Sequence, residues 1–335
     1  MRTYAHIGQP KCASTALQTR FFAVHPELYH LGSGYRGDIG KYIDRDVARV
    51  VESGLRHQKD FLWNAGDARK VMARHSAAAT GATAIGLSCE FLGFTLGNEI
   101  DVTTKARRLR QMLGDDGRIV LVFREQMSLL QSLYTELVKG GYPGSYRRFL
   151  EYTWLFQDRN WCLDFCHDRL LACHAEVFGR DRVIALPYEL LQREPGVFLD
   201  LLCEGLGIAP FDEWPTIRNA RPPLEELELR RRFNEKWPHG FGSPFFNPFH
   251  AERLRAWFED ELGVRVPLER ALDDAMISRY SAAAQELASR HPTPPLDLDA
   301  PDGITTRLQD LYAASNRALA SQVPFDLASL GYPMS

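Results

Sequence analysis

Three short segments constrain the fold of this 335-residue chain more than any others: "ATAIGLS" at 82–88, "RIVLVF" at 118–123 and "RVIALPY" at 182–188. Each is nearly continuous in apolar character and bounded by turn residues or charges, as a strand covered on both faces is. A further strand is expected at Tyr4–Ile7. Between the strands lie segments of helical spacing. Residues 126–139 place Met127, Leu130, Leu133, Tyr134, Leu137 and Val138 on one side; 147–178 follow, then 194–206 with Phe198, Leu201, Leu202 and Leu206. Strands alternating with helices predict an α/β fold, a parallel sheet flanked by helices, whose ligands bind at the carboxyl ends of the strands. After about residue 210 the pattern changes to a Pro/Gly/aromatic loop at 236–250, "KWPHGFGSPFFNPFH". Helices over 251–290, a linker "HPTPPLDLDAP" and a last helix at 304–321 complete a mostly helical C-terminal extension.

Composition narrows the function. With 45% apolar residues the chain buries a large core, and 40 basic against 43 acidic residues leave a net charge of −3. That balance gives no electrostatic reason to expect a nucleic-acid partner. The basic clusters "KARRLRQ" at 105–111 and "ELRRRF" at 228–233 read as solvated helix faces. No stretch approaches the length of a membrane span, and charged or polar residues interrupt the N-terminus from Arg2 onward, so a cytoplasmic location is expected. The six cysteines are not read as a disulfide framework in a chain this large. Cys162, Phe165, Cys166, Leu170, Cys173 and Val177 fall on one helical stripe, with His167 and His174 pointing elsewhere, which reads as buried core and not as a metal site.

The opening stretch, "YAHIGQPKCASTALQTRFF", supplies the first chemical motif. A strand, a small-residue turn over Gly8–Ala13 and a helix from Ser14 form an anion cradle: the first N–H groups of such a helix have no intrahelical partner and sit at the positive end of its dipole. Lys11 adds a point charge beside them. The fold is therefore P-loop-like, but a triphosphate P-loop needs GxxxxGK[ST], with the hydroxyl after the lysine on magnesium. Here the pattern is GxxKxxST, and Cys12 follows Lys11. A metal-free, less highly charged leaving group fits better. The plainer reading is a surface lysine before an N-capping Ser14. In "RIVLVFREQMSLLQSLYTE" the strand ends at Val122 or Phe123, Arg124 stands at the ligand-binding edge, and Ser132 follows two turns into the next helix. An Arg fork and a hydroxyl converging there suit a second phosphate.

Together these stretches resemble the sulfotransferases that use 3′-phosphoadenosine 5′-phosphosulfate (PAPS), in a bacterial form. The family's PKxGTT motif is matched by "PKCAST", and its Arg with a Ser eight residues on by Arg124 and Ser132. Its strand, Tyr-Glu, helix, Leu-Gly segment is matched by "ALPYELLQREPGVFLDLLCEGLGI" at 185–208. The closing "YAASNRALASQVPFDLASLGYP" resembles the tails of bacterial members more loosely. The resemblance implies a PAPS-binding core over 1–210 and a C-terminal region over 211–335 that completes the same domain and covers the acceptor site.

Carried over by residue, Lys11, Ala13, Ser14 and Thr15 would hold the 5′-phosphosulfate, Arg124 and Ser132 the 3′-phosphate, and Tyr188 the adenine. Ala13 stands where the family has Gly, which asks this position to avoid positive φ. Ala16 stands where animal cytosolic members stack an aromatic on adenine, a role for which Trp161 and Phe241 are candidates. Those members use a His as base; the equivalent "AIGLSCEFLGF" offers Glu90 instead. Glu90 is the expected base, with His6 in reserve; the plainer readings are a capping carboxylate and a core histidine. The acceptor would be a hydroxyl of a carbohydrate, glycolipid or small molecule, with no metal. The alternatives are a metal-dependent P-loop kinase and a nucleotide-binding protein without transferase activity.

Overall fold

The computed structural model describes residues 1–32, 42–97, 99–139, 141–211, 222–236, 294–300 and 302–335. The aromatic loop from Trp237 onward, with Phe241, and the helices expected over 251–290 lie outside the described residues. The chain divides into two compact units, one of residues 1–130, 153–217 and 302–335, the other of residues 131–152 and 218–301.

The first unit is built on a five-stranded sheet. Its strands are β1 (Arg2–His6), β2 (Leu28–His30), β3 (Ala84–Ser88), β4 (Arg118–Phe123) and β5 (Val183–Pro187). All neighbours pair in parallel in the order β2-β3-β1-β4-β5, with His6 opposite both Ser88 and Val120, and Phe123 opposite Pro187. The apolar runs read from the sequence are these strands: β3 is buried throughout and β4 at every residue after Arg118. Burial on both faces is what a continuous Val/Ile/Leu run permits and an alternating one forbids. The edge strand β2 has three half-buried residues, too short to carry a periodic signal.

Around the sheet and through the second unit run α1 (Ser14–Leu17, widening into a turn of π type, Gln18–Phe22), α2 (Arg45–Ala48), α3 (Ala65–Ala78), α4 (Val102–Leu113) and α5 (Gln126–Lys139). They are followed by α6 (Tyr146–Leu155), α7 (Trp161–Asp164), α8 (His167–Phe178), α9 (Tyr188–Arg193), α10 (Pro195–Leu206), α11 (Leu224–Lys236) and α12 (Asp302–Ala320). The helix expected over 147–178 is thus three helices. Asn160 makes the break: its side chain accepts from the Cys162 N–H at 2.8 Å and donates to the Thr153 carbonyl at 3.1 Å, ending one helix and capping the next. Tyr188, expected at a strand end, opens α9.

The reading of 105–111 as a solvated face is corrected. Lys105 and Arg108 are buried, each donating to backbone carbonyls that face α4. The Lys105 ammonium donates to the carbonyls of Phe91 (2.8 Å) and Phe94 (2.6 Å) and pairs with Glu99, while Arg108 donates to the Gly54 carbonyl at 2.5 Å. The cysteine stripe is core as expected, with Cys162, Cys166, Phe165 and Leu170 buried. His167 and His174 are buried as well, where the stripe reading had them pointing away. In the second unit, Arg230 pairs with Glu226, and Arg231 and Arg232 with Glu228, one helical turn apart on α11. No helix among the described residues is long and apolar enough to cross a membrane.

Burial holds several imidazoles neutral. It pushes His6 down to about 3, with His30 beside it adding to the effect, and His30, His167 and His174 down to about 4. In the unfolded chain these groups titrate near 6.5, so below that pH the unfolded state binds protons that the folded state refuses. Each such histidine makes unfolding easier by about 1.4 kcal/mol per pH unit until its folded pKa is reached. Asp164, raised by burial to about 6, and Glu52, also raised by burial, work in the opposite sense but are outnumbered by the four histidines. Urea midpoints measured as a pH series are therefore expected to be steady above pH 6.5 and to fall steeply toward pH 4. A flat profile across that window would contradict neutral buried imidazoles.

Candidate active site

Lys11, Glu90, Arg124 and Tyr188 stand after the carboxyl ends of four adjacent strands, β1, β3, β4 and β5. After β1, the Ile7 and Gln9 N–H groups donate to the carbonyls of Val120 and Val122 on β4, both at 2.9 Å, so the chain stays beside β4 until it turns. The turn itself is left-handed at two residues, Lys11 (φ 62°) and Ala13 (φ 60°). The expectation that Ala13 avoids positive φ is thereby overturned. The reversal needs left-handed backbone where the chain leaves the strand edge to start α1, and this sequence meets the need without glycine. Such a conformation costs a non-glycine residue about 1–2 kcal/mol. Beneath the turn, Gly8 passes over His6, and a Cβ there would lie 2.6 Å from the His6 ring.

Helix α1 opens at Ser14 with no side-chain cap, so the first amides of the helix have no intrahelical partner and point into the turn. The Ser14 hydroxyl is buried with no protein partner. A buried hydroxyl without a partner is unfavourable by about 1–3 kcal/mol, which an anion accepting from it would relieve. Thr15 is exposed, Lys11 and Ala13 are half-buried, and Ala16 is buried, so its methyl offers no platform to a base.

Arg124 follows β4. Its guanidinium donates to the Lys11 carbonyl at 3.0 Å and to the Ser128 hydroxyl at 3.1 Å, and lies 4.9 Å from the centre of the Tyr188 ring. The phenol of Tyr188 is pushed up by burial against the pull of Arg124, and it accepts from the Gln192 side chain at 3.0 Å. The backbone around Arg124 is held by side chains from distant segments. Its carbonyl accepts from His167 (2.8 Å), the Glu125 N–H donates to Glu189 (3.1 Å), and the Tyr332 hydroxyl donates to that same carboxylate (2.7 Å). Gln126 and Asn316 exchange amide bonds at 2.7 and 3.1 Å, and Asn316 also donates to the Pro333 carbonyl at 3.0 Å.

Glu90 begins the turn after β3. The Cys89 N–H donates to the His6 carbonyl at 2.8 Å, which sets the end of β3 beside the end of β1. Gly93 closes that turn so tightly against the first one that a Cβ would come within 2.1 Å of the Ile7 carbonyl oxygen. Below it, Lys105, Glu99 and Arg56 form a buried charge cluster, with Arg56 lying 4.1 Å over the Phe91 ring. Burial opposes the Glu99 charge, but Arg56 and Lys105 hold its carboxyl below the usual range. The convergence registers at Cys12: its buried thiol is pushed up by burial, lowered by Arg124 and Lys11, and raised by Glu189 and Glu90. Both cations and both carboxylates therefore act on one point in the turn.

His6 is buried, with Nδ1 at 2.7 Å from the Ser88 hydroxyl and Nε2 unpartnered. Trp161 is wholly buried, which removes it as an adenine platform. Ser132 stands half-buried in the second unit, its carbonyl accepting from Thr135 at 2.9 Å. Ser128, four residues after Arg124, presents its hydroxyl to the guanidinium. Sequence reasoning also missed Gln9, His167, Glu189 and Tyr332; the Tyr-Glu pair at 188–189 and the tail tyrosine were the available signals. Among the described residues, no group of three or more His, Cys, Asp or Glu side chains could hold a metal ion.

No protein-family profile matches the chain, and no curated protein sequence does. Solved structures similar to it include a sulfotransferase from Alicyclobacillus acidocaldarius, at 18% identity and a TM-score of 0.46, covering 75% of this chain and 95% of that one. A sulfotransferase domain from the curacin biosynthetic pathway follows at 14% identity and 0.42, covering 63% and 75%. A sulfotransferase domain from the Synechococcus PCC 7002 olefin synthase covers 93% and 94%, at 16% identity and 0.37. Likeness at this level assigns no activity.

The strained turn yields a test. Ala13→Gly removes the left-handed penalty of about 1–2 kcal/mol and adds unfolded-state entropy of about 0.4–1 kcal/mol. The variant is expected to be more stable by roughly 0.5–1 kcal/mol in urea unfolding. A destabilised variant would show that the Ala13 methyl packs for more than its backbone costs.

Proposed function

We propose that the chain is a sulfotransferase that moves a sulfuryl group from PAPS to a hydroxyl of a carbohydrate, glycolipid or small-molecule acceptor. The observation that carries this reading is the meeting of Lys11, Glu90 and Arg124 at adjacent strand ends around a helix N-terminus whose Ser14 hydroxyl is unpartnered. When bound, PAPS supplies a sulfuryl group on a good leaving group, adenosine 3′,5′-bisphosphate. The amides at 13–15, the Ser14 hydroxyl and Lys11 are donors suited to its 5′ end. Beyond the bonds to Lys11 and Ser128, three guanidinium N–H groups of Arg124 remain, which suits them to the 3′-phosphate. Glu90 takes the acceptor's proton as the acceptor oxygen bonds to sulfur and the sulfur–oxygen bond to the bisphosphate breaks. Lys11 and the turn amides stabilise the charge left on the departing oxygen, a preorganised electrostatic effect of about 3–4 kcal/mol for a key donor. A metal-dependent kinase is the less favoured reading, since Cys12 occupies the position of the magnesium-binding hydroxyl.

Ligand binding separates the two readings. Adenosine 3′,5′-bisphosphate at a hundredfold excess over its Kd is expected to stabilise the protein by about 2.7 kcal/mol in a thermal-shift experiment, with little effect from ATP plus magnesium. The reverse order would replace the sulfotransferase with the kinase.

Variants divide the chemistry. Glu90→Gln is expected to leave bisphosphate affinity nearly unchanged and to slow sulfuryl transfer about 10²-fold or more, the size of a general-base contribution. Lys11→Ala is expected to lower both affinity and rate, because the ammonium acts on the bound donor and more strongly as leaving-group charge grows. The rate is followed across a panel of sugars and phenols, or in reverse from an aryl sulfate to the bisphosphate. A fully active Glu90→Gln enzyme would move the base to His6 or to an acceptor that needs none.

A further inference from the structure

His167 is wholly buried at the first position of α8, beneath the turn, and both of its ring nitrogens are used. A carbonyl only accepts, so the bond of 2.8 Å between Nε2 and the Arg124 carbonyl fixes the hydrogen on Nε2. Nδ1 is then bare and accepts from the Gln9 amide at 3.1 Å. The same amide nitrogen donates its other hydrogen to the Asp164 carbonyl at 3.2 Å, which fixes the orientation of Gln9. Burial keeps the imidazole neutral, pushed down to about 4, so this assignment holds through the neutral range.

The consequence is a closed ring. Gln9 leads through Pro10 to Lys11, the Lys11 carbonyl accepts from the Arg124 side chain, and the Arg124 carbonyl accepts from His167, which returns to Gln9. An apolar ring would pack against Phe123 and Tyr332, 5.2 and 6.3 Å from the imidazole centre, without the desolvation of two nitrogens. What the imidazole adds is a fixed distance between the left-handed turn and Arg124, the two anion-binding segments at the strand ends.

We infer that His167 is a positioning residue that couples these two segments, so that the two phosphate groups of one nucleotide are read as a unit. The inference rests on the proposed function. It requires that adenosine 3′,5′-bisphosphate bind more tightly than adenosine 5′-monophosphate by a factor that depends on His167. His167→Phe keeps the ring volume and removes both bonds; His167→Gln keeps an N–H at the reach of Nε2.

Titration calorimetry of the full chain with both nucleotides tests it. The wild-type advantage of the bisphosphate is expected to fall about 10-fold in His167→Phe, within the usual range of coupling between sites, and to return in large part in His167→Gln. A residue that only supports the fold would lower Tm and leave that ratio unchanged. If His167→Phe fails to fold, Gln9→Leu removes the opposite partner and is expected to reduce the same ratio. An unchanged ratio in a folded variant, or a Gln substitution no better than Phe, overturns the inference alone. A wild-type protein with no preference for the bisphosphate overturns the functional reading and the inference with it.

Discussion

The bond from Arg124 to the Lys11 carbonyl is the contact on which the rest of the site depends, because it pins a left-handed turn after one strand to the end of the next. Left alone, that turn is unfavourable: two left-handed non-glycine residues cost about 2–4 kcal/mol together. A hydrogen bond from a charged donor contributes about 1.5–3 kcal/mol, so one contact only partly offsets the strain. The remainder falls to the backbone bond from Gln9 to Val122 and to the side-chain bonds of Gln9 with His167 and Asp164. Strain of this kind persists where its surroundings over-determine it, and here they do.

A second support lies beneath the Glu90 turn. Lys105, Glu99 and Arg56 are all buried, and Glu52, bonded in turn to the Tyr42 hydroxyl at 2.6 Å, completes the cluster. Such clusters add little net stability against an apolar core, yet loss of any one member strands a buried charge at about 3–5 kcal/mol. Their arrangement is therefore all-or-none. Since Lys105 takes the carbonyls of Phe91 and Phe94 directly, the geometry it enforces is that of the segment carrying Glu90. Glu90 is thereby placed from a buried cluster behind its turn.

What was legible in the sequence was local. The continuous runs at 82–88, 118–123 and 182–188 declared buried parallel strands because the apolar pattern records burial on both faces. Arg124 was legible as the residue directly after β4, and Lys11 and Ser14 as the charge and the helix start of the small-residue turn after β1. Ser128 was not singled out because attention fell on the serine eight residues on, and the bond of the guanidinium to a hydroxyl one turn along the helix is seen only in three dimensions. Lys105 and Arg108 were misread since a charged side chain looks solvated until the carbonyls facing it are known. Ala13 was misread for a related reason: the need for left-handed backbone is set by where the chain must go after β1, which no single residue type encodes.

His167, Asn316 and Tyr332 were illegible for a deeper reason. They reach Arg124 and its neighbours from 43, 190 and 143 or 209 residues away, and Lys11 and Arg124 are themselves 113 apart. No local segment forms the candidate site by itself, because the turn after β1 needs β4 beside it and β4 needs the tail behind it. Closing loops of this length carries an entropy cost that local contacts cannot return, so the strand ends must be brought together by the sheet as a whole before the polar bonds form. The polar network then selects among collapsed arrangements. A one-residue register error between β1 and β4 would turn the side chains of the slipped strand to the opposite face and leave Lys11 without Arg124. The same bonds that shape the candidate site thus certify the register of β1 against β4.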